Sequence, residues 1–338
     1  MKKFSGIDLH SNNSVIVISD EADSVLYQRR LPNDLSQIVA ALAPHREELV
    51  GVVVESTYNW YWLVDGLMEA GYAVHLANTT AIKKYEGLKY SDDLTDAAYL
   101  AQLLRLGLLP EGYIYPRAER PVRDLARRRV HLVRCRTTQI LAIENLIARQ
   151  TATRLNSNQV KRLSAEGVER LALPPDVALA VHAHRAVIET LQGQIRALET
   201  RLHEQVALSP AYRLLTSVPG IGEVLATTIM LETGTITRFA KVGHFSSYAR
   251  CVDSRHESNG KKKAEGNVKN GNKYLAWAFV EAAHSALRFC PEAKRFYERK
   301  RGQRNACVAT KALAHKLARA AYHMLSEQKP FDVKRCFA

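Results

Sequence analysis

The spacing of the apolar residues changes once along the chain, near residue 117, and this change limits the possible folds more than any other feature. Before residue 117, short runs rich in β-branched residues alternate with helical patterns; after it, apolar residues recur at helical spacing. Short β-branched runs form strands, and strands alternating with helices build an α/β sheet. The sequence therefore predicts an α/β domain over residues 1–116 and an all-α remainder.

Five strands are expected in the first domain. Three follow one another with only polar turns between them, which predicts a meander, and each of the other two follows a helical pattern. These strands cover residues 4–10, 14–19, 24–31, 48–56 and 72–78. The three helical patterns cover residues 34–45, 59–71 and 94–109, with Asp34 as a cap and Gly71 as a terminator. This order predicts a mixed sheet.

The basic residues are concentrated after the α/β domain. Residues 1–116 contain 9 Lys/Arg and 15 Asp/Glu, whereas residues 117–338 contain 39 and 19. Neutralising phosphates is a major source of nucleic-acid affinity, so this asymmetry predicts a polyanionic partner. The first candidates for phosphate contacts lie on an arginine-rich helical pattern and are Arg123, Arg127, Arg128 and Arg134.

Two more regions follow the change at residue 117. Residues 117–207 contain two long helical patterns, and the second has apolar residues at alternating steps of three and four, which predicts a coiled-coil arm. Residues 208–338 predict an α-helical domain that begins with a helix-hairpin-helix-like motif, "VPGIGEVLA". Its Gly220 and Gly222 could turn backbone N–H groups towards a phosphate. An ordinary helix corner without a ligand fits the same residues.

Membrane and disulfide signals are absent from the sequence. No run of apolar residues approaches the length of a membrane span. The five cysteines are scattered without C-x-x-C spacing, which argues against a zinc site and a disulfide framework. We expect a protein of a reducing compartment that does not contact a membrane.

Four carboxylates occupy positions suited to a metal site. Asp8 and Glu55 lie near the ends of two predicted strands, while Asp93 and Asp96 are three residues apart at the start of a helix. Clustered carboxylates repel one another unless a cation lies between them, and oxygen ligands suit Mg²⁺. Each acid alone also fits a turn or a helix cap, and Asp92 is an alternative to Asp93.

The segment 255–274, "RHESNGKKKAEGNVKNGNKY", is a basic loop with a Ser-Asn-Gly turn. Its candidate nucleophile is Ser258, whose hydroxyl could attack a DNA phosphorus while nearby lysines stabilise the developing charge. Ser254 is the alternative, and a serine that only forms the turn is the simpler interpretation of Ser258 alone. The lysines proposed to contact nucleic acid are Lys261, Lys262, Lys263, Lys269 and Lys273.

Taken together, these motifs resemble one family. Asp8 in "GIDLH", Glu55 in "VVVES" and the Asp93/Asp96 pair before Ala97 resemble the four acids of DEDD-type insertion-sequence transposases. The second half resembles the same family's transposase domain in "VPGIGEVLATTIMLE" and in "FSSYARCVDSRHESNG" with the lysine-rich residues after it. The resemblance covers nearly the whole chain in the family's order. One departure is Asn259, because the family often places glycine directly after the serine.

The resemblance implies a fold and a mechanism. The first domain would be RuvC-like, with an RNase H fold whose acids Asp8, Glu55, Asp93 and Asp96 bind Mg²⁺. Ser258 would form a covalent phosphoserine–DNA intermediate, and a structured bridge RNA would guide donor and target DNA. The family further implies a homodimer or homotetramer in which different subunits contribute to one composite site. Its location would be the bacterial cytoplasm, associated with the nucleoid.

Three other functions share some of these sequence features. A RuvC-like, metal-dependent nuclease such as a junction resolvase would cut with water and leave no protein–DNA adduct. A DNA-binding protein without catalytic activity would not need the four acids. An actin-like or sugar-kinase ATPase is discounted, because the segment "GIDLHSNN" lacks the glycine that such phosphate loops need near the aspartate.

Overall fold

The first five strands of the chain pair into one mixed sheet. They are β1 (Lys3–Leu9), β2 (Asn13–Ser19), β3 (Val25–Pro32), β4 (Leu49–Glu55) and β5 (Val74–Ala77). The sheet order is β3-β2-β1-β4-β5, with antiparallel pairing among β1, β2 and β3 and parallel pairing from β1 to β4 and from β4 to β5. The predicted meander and mixed sheet are confirmed.

Three helices accompany this sheet. They are α1 (Leu35–Leu42), α2 (Tyr61–Glu69) and α3 (Asp93–Arg105), and a 3-10 turn (Ala43–Glu48) follows α1. Asp34 caps α1 as predicted, since its carboxylate accepts hydrogen bonds from the backbone N–H groups of Ser36 and Gln37. Gly71, at a φ of +83°, follows the end of α2 in the left-handed conformation that glycine tolerates best.

The sheet is covered on both faces, which explains the continuous apolar character of β4. Val52 and Val54 pack with residues of α1 and α2, whereas Val53 packs with Leu100 of α3 on the opposite face. Because successive side chains of a strand point to opposite faces, a strand between two helical layers is apolar at every position.

The computed structural model describes residues 1–82, 92–253, 256–264 and 270–338. Backbone contacts divide the chain into two compact units: the first contains Met1–Arg117 and also Asn270, and the second contains the other described residues from Ala118 onward. The division of the second part into an arm over residues 117–207 and a domain over residues 208–338 stays a prediction. Among the described residues, no helix has the length and apolar character of a membrane span.

Two helices of 32 residues each dominate the beginning of the second unit. In this part of the chain the helices are α4 (Arg120–Thr151), α5 (Ser157–Lys161), α6 (Ala165–Glu169) and α7 (Pro175–Val206). The two long helices are antiparallel, since Arg129 Nη2 lies 2.5 Å from Glu199 Oε1 and Gln139 Oε1 lies 2.7 Å from His184 Nδ1. Buried Ile143 and Val181 belong to the apolar cluster between them.

The rest of the second unit is mostly helical. Its helices are α8 (Pro210–Thr216), α9 (Glu223–Thr233), α10 (Val242–Tyr248), α11 (Lys273–Phe289), α12 (Pro291–Gln303), α13 (Ala306–Glu327) and α14 (Val333–Phe337), with a 3-10 turn at Ile236–Arg238. They enclose a core that includes Phe245, Phe279 and Leu313.

One expectation for this region is wrong, because the part predicted to be all-α also contains a two-stranded sheet. Its strands are β6 (His256–Ser258) and β7 (Lys261–Ala264), which pair antiparallel. The two residues between them, Asn259 and Gly260, have φ values of +52° and +68°. Asn-Gly with both residues at positive φ is the preferred turn of a two-residue β-hairpin, so the local sequence explains the strands.

Candidate metal centre and serine hairpin

The absence of a side chain at Gly6 lets α3 pack directly against β1. A Cβ at Gly6 would lie only 1.9 Å from the carbonyl oxygen of Ala97 and 2.9 Å from the backbone nitrogen of Ala101. The sheet and the helix backbone therefore approach more closely here than any other residue would allow. This contact fixes the position of α3, whose first turn carries Asp93 and Asp96. No sequence pattern had marked Gly6 as a contact point.

Strand pairing brings the first two predicted acids together. Ile7 is paired with Val54 in the parallel ladder of β1 and β4, and the next residues are Asp8 and Glu55. Side chains alternate along a strand, so Asp8 lies on the same face as Gly6, the face that α3 covers. Glu55 likewise shares the face of Val53. Asp8 and Glu55 are thus neighbours at the carboxyl ends of their strands, on the side of α3.

Asp8 and Asp93 meet around a histidine. His10 Nε2 lies 3.4 Å from Asp8 Oδ2 and 3.3 Å from Asp93 Oδ2. Each of the three residues offers one possible ligand atom, and these three atoms all lie within 4.8 Å of one another. The Asp8 side chain is only 7 % exposed, and a carboxylate buried to this extent requires a positive partner. His10 lies within "GIDLH", and no sequence pattern had marked it as a ligand.

Asp92 and Asp93 have different partners. Asp92 is the N-cap of α3, and its carboxylate accepts hydrogen bonds from the Thr95 hydroxyl at 2.6 Å and the Thr95 backbone N–H at 2.8 Å, which lower the pKa of Asp92. Asp93 accepts a hydrogen bond from Arg30 Nη2 at 2.5 Å, and this bond lowers the pKa of Asp93. Asp93 is therefore the aspartate beside Asp8, while Asp92 holds the start of the helix.

Glu55 and Asp96 line a second part of the same region. Together with Thr79, Tyr99 and other residues they surround a cavity of about 310 Å³. Of the four predicted acids, the structure brings Asp8 and Asp93 into the tight group and places Glu55 and Asp96 along this cavity.

The residues present fit a divalent cation. Hard cations such as Mg²⁺ take carboxylate oxygens as ligands, and two atoms bound in adjacent positions to one such ion are about 3 Å apart. The observed distances of 3.3 Å and 3.4 Å around His10 are close to that spacing. Asp8 and Asp93, with Glu55 and Asp96 nearby, would hold the ion.

The serine hairpin presents Ser258 at its tip. Ser258 is paired with Lys261 across the two-residue turn, and Ser258, Asn259, Gly260, Lys261 and Lys263 are all exposed. Lys273, also exposed, begins α11. The tight turn expected at Ser-Asn-Gly is confirmed. Three other predicted positions lie outside the described part of the chain: Ser254, Lys269 and the side chain of Lys262.

The helix arginines differ in their surroundings. Arg128 and Arg134 are exposed on α4, whereas Arg123 is 9 % exposed. Arg127 donates two hydrogen bonds to the Glu232 carboxylate, Nε to Oε1 at 2.6 Å and Nη2 to Oε2 at 2.7 Å. Glu232 is itself buried, and no sequence pattern had indicated its partnership with Arg127.

The two glycines of the helix-hairpin-helix-like motif also differ. Gly220, at a φ of +95°, is pressed against α11, since a Cβ there would lie 2.5 Å from the backbone nitrogen of Ala286. Gly222 is the N-cap residue of α9 and has open space where a Cβ would be. Gly220 thus serves the packing of the motif, and Gly222 leaves the start of a helix accessible.

Both halves of the chain match families of transposases. Residues 5–150 match the DEDD transposase model of the IS110 type, and residues 212–298 match the model described as the transposase IS116/IS110/IS902 family. The chain belongs to the DEDD-type insertion-sequence transposases. As a transposase it is a DNA-recombining enzyme.

Two transposases that align with nearly the whole chain support this family membership. The chain is 24% identical over 353 residues to the transposase for insertion sequence element IS1111A of Coxiella burnetii, covering 99% of this chain and 92% of the relative. It is 24% identical over 341 residues to the transposase for insertion sequence element IS1328 of Yersinia enterocolitica, covering 97% and 98% of the two chains.

Proposed function

We propose that this transposase excises and inserts its element through a covalent phosphoserine intermediate, with Ser258 as the nucleophile. Ser258 Oγ attacks a DNA phosphorus, a Ser–O–P bond forms, and the P–O bond to the adjoining nucleotide breaks. The leaving oxygen takes up the proton that the serine loses. A hydroxyl of the new partner strand then attacks the phosphoserine and releases Ser258, so no external energy source is needed.

The observation that carries this proposal is the position of Ser258 at an exposed hairpin tip beside Lys261 and Lys263. A nucleophile that attacks duplex DNA must be accessible to the DNA backbone. Cations beside it stabilise the charge that develops on the phosphate oxygens. The hairpin meets both conditions.

A divalent ion at the acid cluster is the second part of the proposal. Asp8, Glu55, Asp93 and Asp96 would hold it, and Mg²⁺ is the ion that such oxygen ligands favour. Bound there, it would supply positive charge that stabilises a reacting phosphate. Arg30 supports the site by keeping Asp93 ionised and in place.

The nucleic-acid partners follow from the basic second unit. We propose that donor and target DNA and a structured guide RNA contact Arg128, Arg134, Gly222, Lys261 and Lys263, which are exposed or open. The other candidate contacts are Arg123, Arg127, Gly220, Lys262, Lys269 and Lys273. A homodimer or homotetramer, acting at the nucleoid, would bring metal and serine sites of different subunits together.

The test is an adduct assay. Purified transposase is incubated with Mg²⁺, DNA carrying the ends of the element and RNA transcribed from its flanks, and a denaturing gel is examined for protein–DNA adducts. We expect an adduct with the unaltered protein and with the control Ser157→Ala, in which an exposed serine of α5 is removed. We expect none with Ser258→Ala or Asp8→Ala.

Three results would redirect the proposal. Cleaved DNA without an adduct, unchanged by Ser258→Ala, would indicate a RuvC-like nuclease that uses water at the acid cluster. An adduct that survives Ser258→Ala and disappears in Ser254→Ala would move the nucleophile to Ser254. An adduct formed without added RNA would remove the guide RNA from the mechanism and leave the serine chemistry intact.

A further inference from the structure

We propose that His10 is a nitrogen ligand of the metal centre and makes the centre prefer a first-row transition-metal ion such as Mn²⁺ over Mg²⁺. The inference rests on the proposed metal-dependent function and adds to it the identity of a fifth metal-site residue and the class of ion. It concerns the part of the centre formed by Asp8 and Asp93.

The position of the His10 ring supports direct coordination. Its Nε2 atom lies 3.4 Å from Asp8 Oδ2 and 3.3 Å from Asp93 Oδ2. Atoms that share one octahedral ion in adjacent positions lie about 3 Å apart. Both distances from the ring nitrogen are therefore close to the separation that a single shared ion would impose, and all three ligand atoms lie within 4.8 Å of one another.

The burial of this nitrogen is the second observation. His10 Nε2 is buried and makes no hydrogen bond of good geometry with any described residue. Asp8 is nine-tenths buried, and His10 is the ion-pair partner that the structure gives it. A buried ring nitrogen and a buried carboxylate that face each other without a hydrogen bond have the arrangement of two ligands on either side of a cation.

The backbone of His10 is fixed by the surrounding loops. Its carbonyl oxygen accepts hydrogen bonds from Asn33 Nδ2 and Asn59 Nδ2, both at 3.0 Å, and its N–H donates to the carbonyl oxygen of Asn13 at 2.9 Å. These bonds come from three different segments of the first unit. These bonds fix the backbone from which the His10 side chain extends to Asp8 and Asp93.

The type of donor determines which ion is favoured. Mg²⁺ prefers oxygen ligands and loses its water reluctantly, whereas transition-metal ions gain more from an imidazole nitrogen. Carboxylates alone would leave Mg²⁺ competitive. A nitrogen ligand beside Asp8 and Asp93 shifts the preference towards Mn²⁺ and related ions.

Pulsed EPR of bound Mn²⁺ tests the proposal directly. Mn²⁺ is added below equimolar amounts to the full-length protein, and the ¹⁴N coupling of a directly bound nitrogen is measured in the electron spin echo. We expect this coupling in the unaltered protein and in His45→Ala, a control histidine that contacts Lys3 at the other end of β1. We expect His10→Ala and His10→Gln to lose it; the glutamine variant retains a side chain of similar size.

Competition between ions provides the second readout. Mg²⁺ is titrated against bound Mn²⁺, and the ratio of the two dissociation constants is determined. We expect both His10 variants to lower the preference for Mn²⁺ by at least about tenfold, the lower end of the changes found when metal-site partners are removed.

The failures of this inference and of the proposed function are distinguishable. Mn²⁺ bound without ¹⁴N coupling, or a coupling and an ion preference unchanged in His10→Gln, would overturn the role of His10 and leave the carboxylate site standing. Mn²⁺ binding that is absent from the unaltered protein, or unaffected by Asp8→Asn, would remove the metal centre itself.

Discussion

A missing side chain at Gly6 determines where the first turn of α3 lies, and so determines the geometry of the acid cluster. Asp93 reaches Asp8 and His10 only because the backbone of α3 rests directly on β1. At the residue scale, the site thus depends on one glycine for distance and on Arg30 for the orientation of Asp93.

Replacement of Gly6 by alanine should damage both stability and the metal site. The added Cβ would lie 1.9 Å from a backbone oxygen that cannot turn aside, so α3 must move. We expect a loss of about 1–3 kcal/mol in the free energy of unfolding, measured with urea, and weaker Mn²⁺ binding. The control is Gly193→Ala in α7, which has open space at Cβ and should be neutral or stabilising by up to about 1 kcal/mol.

Asp23 should make stability depend on pH in the acid range. Its carboxylate accepts hydrogen bonds from Arg105 Nε at 2.7 Å and Nη2 at 2.6 Å, and these bonds lower the pKa of Asp23 in the folded protein. Because the pKa of Asp23 is lower in the folded state, its ionised carboxylate stabilises the folded protein at pH values above the unfolded-state pKa of about 3.9. This stabilisation is lost as the pH falls through the folded-state pKa.

The comparison is with Asp23→Asn, because Asp23 has a φ of +61°, a conformation that asparagine also tolerates. We expect the unaltered protein to be more stable than the variant at pH 6 and this difference to shrink steadily below about pH 4. Urea unfolding at a series of pH values measures it. A difference that stays constant down to pH 2 would contradict the assignment.

At the element scale, one buried carboxylate joins three helices of the second unit. Glu232 of α9 binds Arg127 of α4, and its Oε2 accepts a hydrogen bond from Asn272 Nδ2 at 2.7 Å. Asn272 in turn caps α11 through the backbone N–H groups of Tyr274 and Leu275. The helix that follows the serine hairpin therefore begins at a residue held from α9, which gives this end of the segment a fixed anchor.

Removal of the Glu232 carboxylate should lower the free energy of unfolding. Glu232→Ala leaves the Arg127 guanidinium and the Asn272 amide without their shared partner, and breaking a buried pair costs about 3–5 kcal/mol. We expect a loss near the lower limit, because the Arg127 side chain is 32 % exposed. Urea unfolding measures it, with Glu204→Ala as the control, since the Arg201–Glu204 pair on α7 is exposed and should contribute less than about 1 kcal/mol.

At the scale of the whole molecule, charge and chemistry are divided between two parts of the chain. The proposed metal ligands all belong to the first unit, while Ser258, Arg128 and Arg134 belong to the second. Residues 1–116 are net acidic and residues 117–338 net basic. Nucleic-acid affinity should therefore arise almost entirely from the second part.

The salt dependence of DNA binding tests this division. Each phosphate contact contributes about 0.9 to the slope of log affinity against log salt. We expect the double variant Arg128→Ala/Arg134→Ala to reduce the slope by about 1.8, because both side chains are exposed. Lys2→Ala, an exposed cation in the acidic part, should leave it unchanged. Equal slopes for the two variants would place the DNA elsewhere on the protein.

The sequence by itself determined the local elements and the residue types of the site. The strands and the three helices of the first unit follow from short-range periodicity, and the caps at Asp34 and Gly71 depend only on neighbouring residues. The β-hairpin at Asn259-Gly260 also depends only on neighbouring residues, but its many lysines led to the prediction of a loop with a turn instead of two strands. Asp8, Glu55, Asp93 and Asp96 could be singled out because acids at strand ends and at a helix start are visible in the sequence.

Only the tertiary structure decided which of these residues meet. The role of His10 depends on a backbone held by Asn33 and Asn59, and that of Glu232 depends on an arginine 105 residues away in the chain. Neither contact leaves a periodic pattern, because the partners come from separate elements whose distance is set by packing. The close approach at Gly6 likewise depends on how β1 and α3 pack together, which the sequence alone does not show.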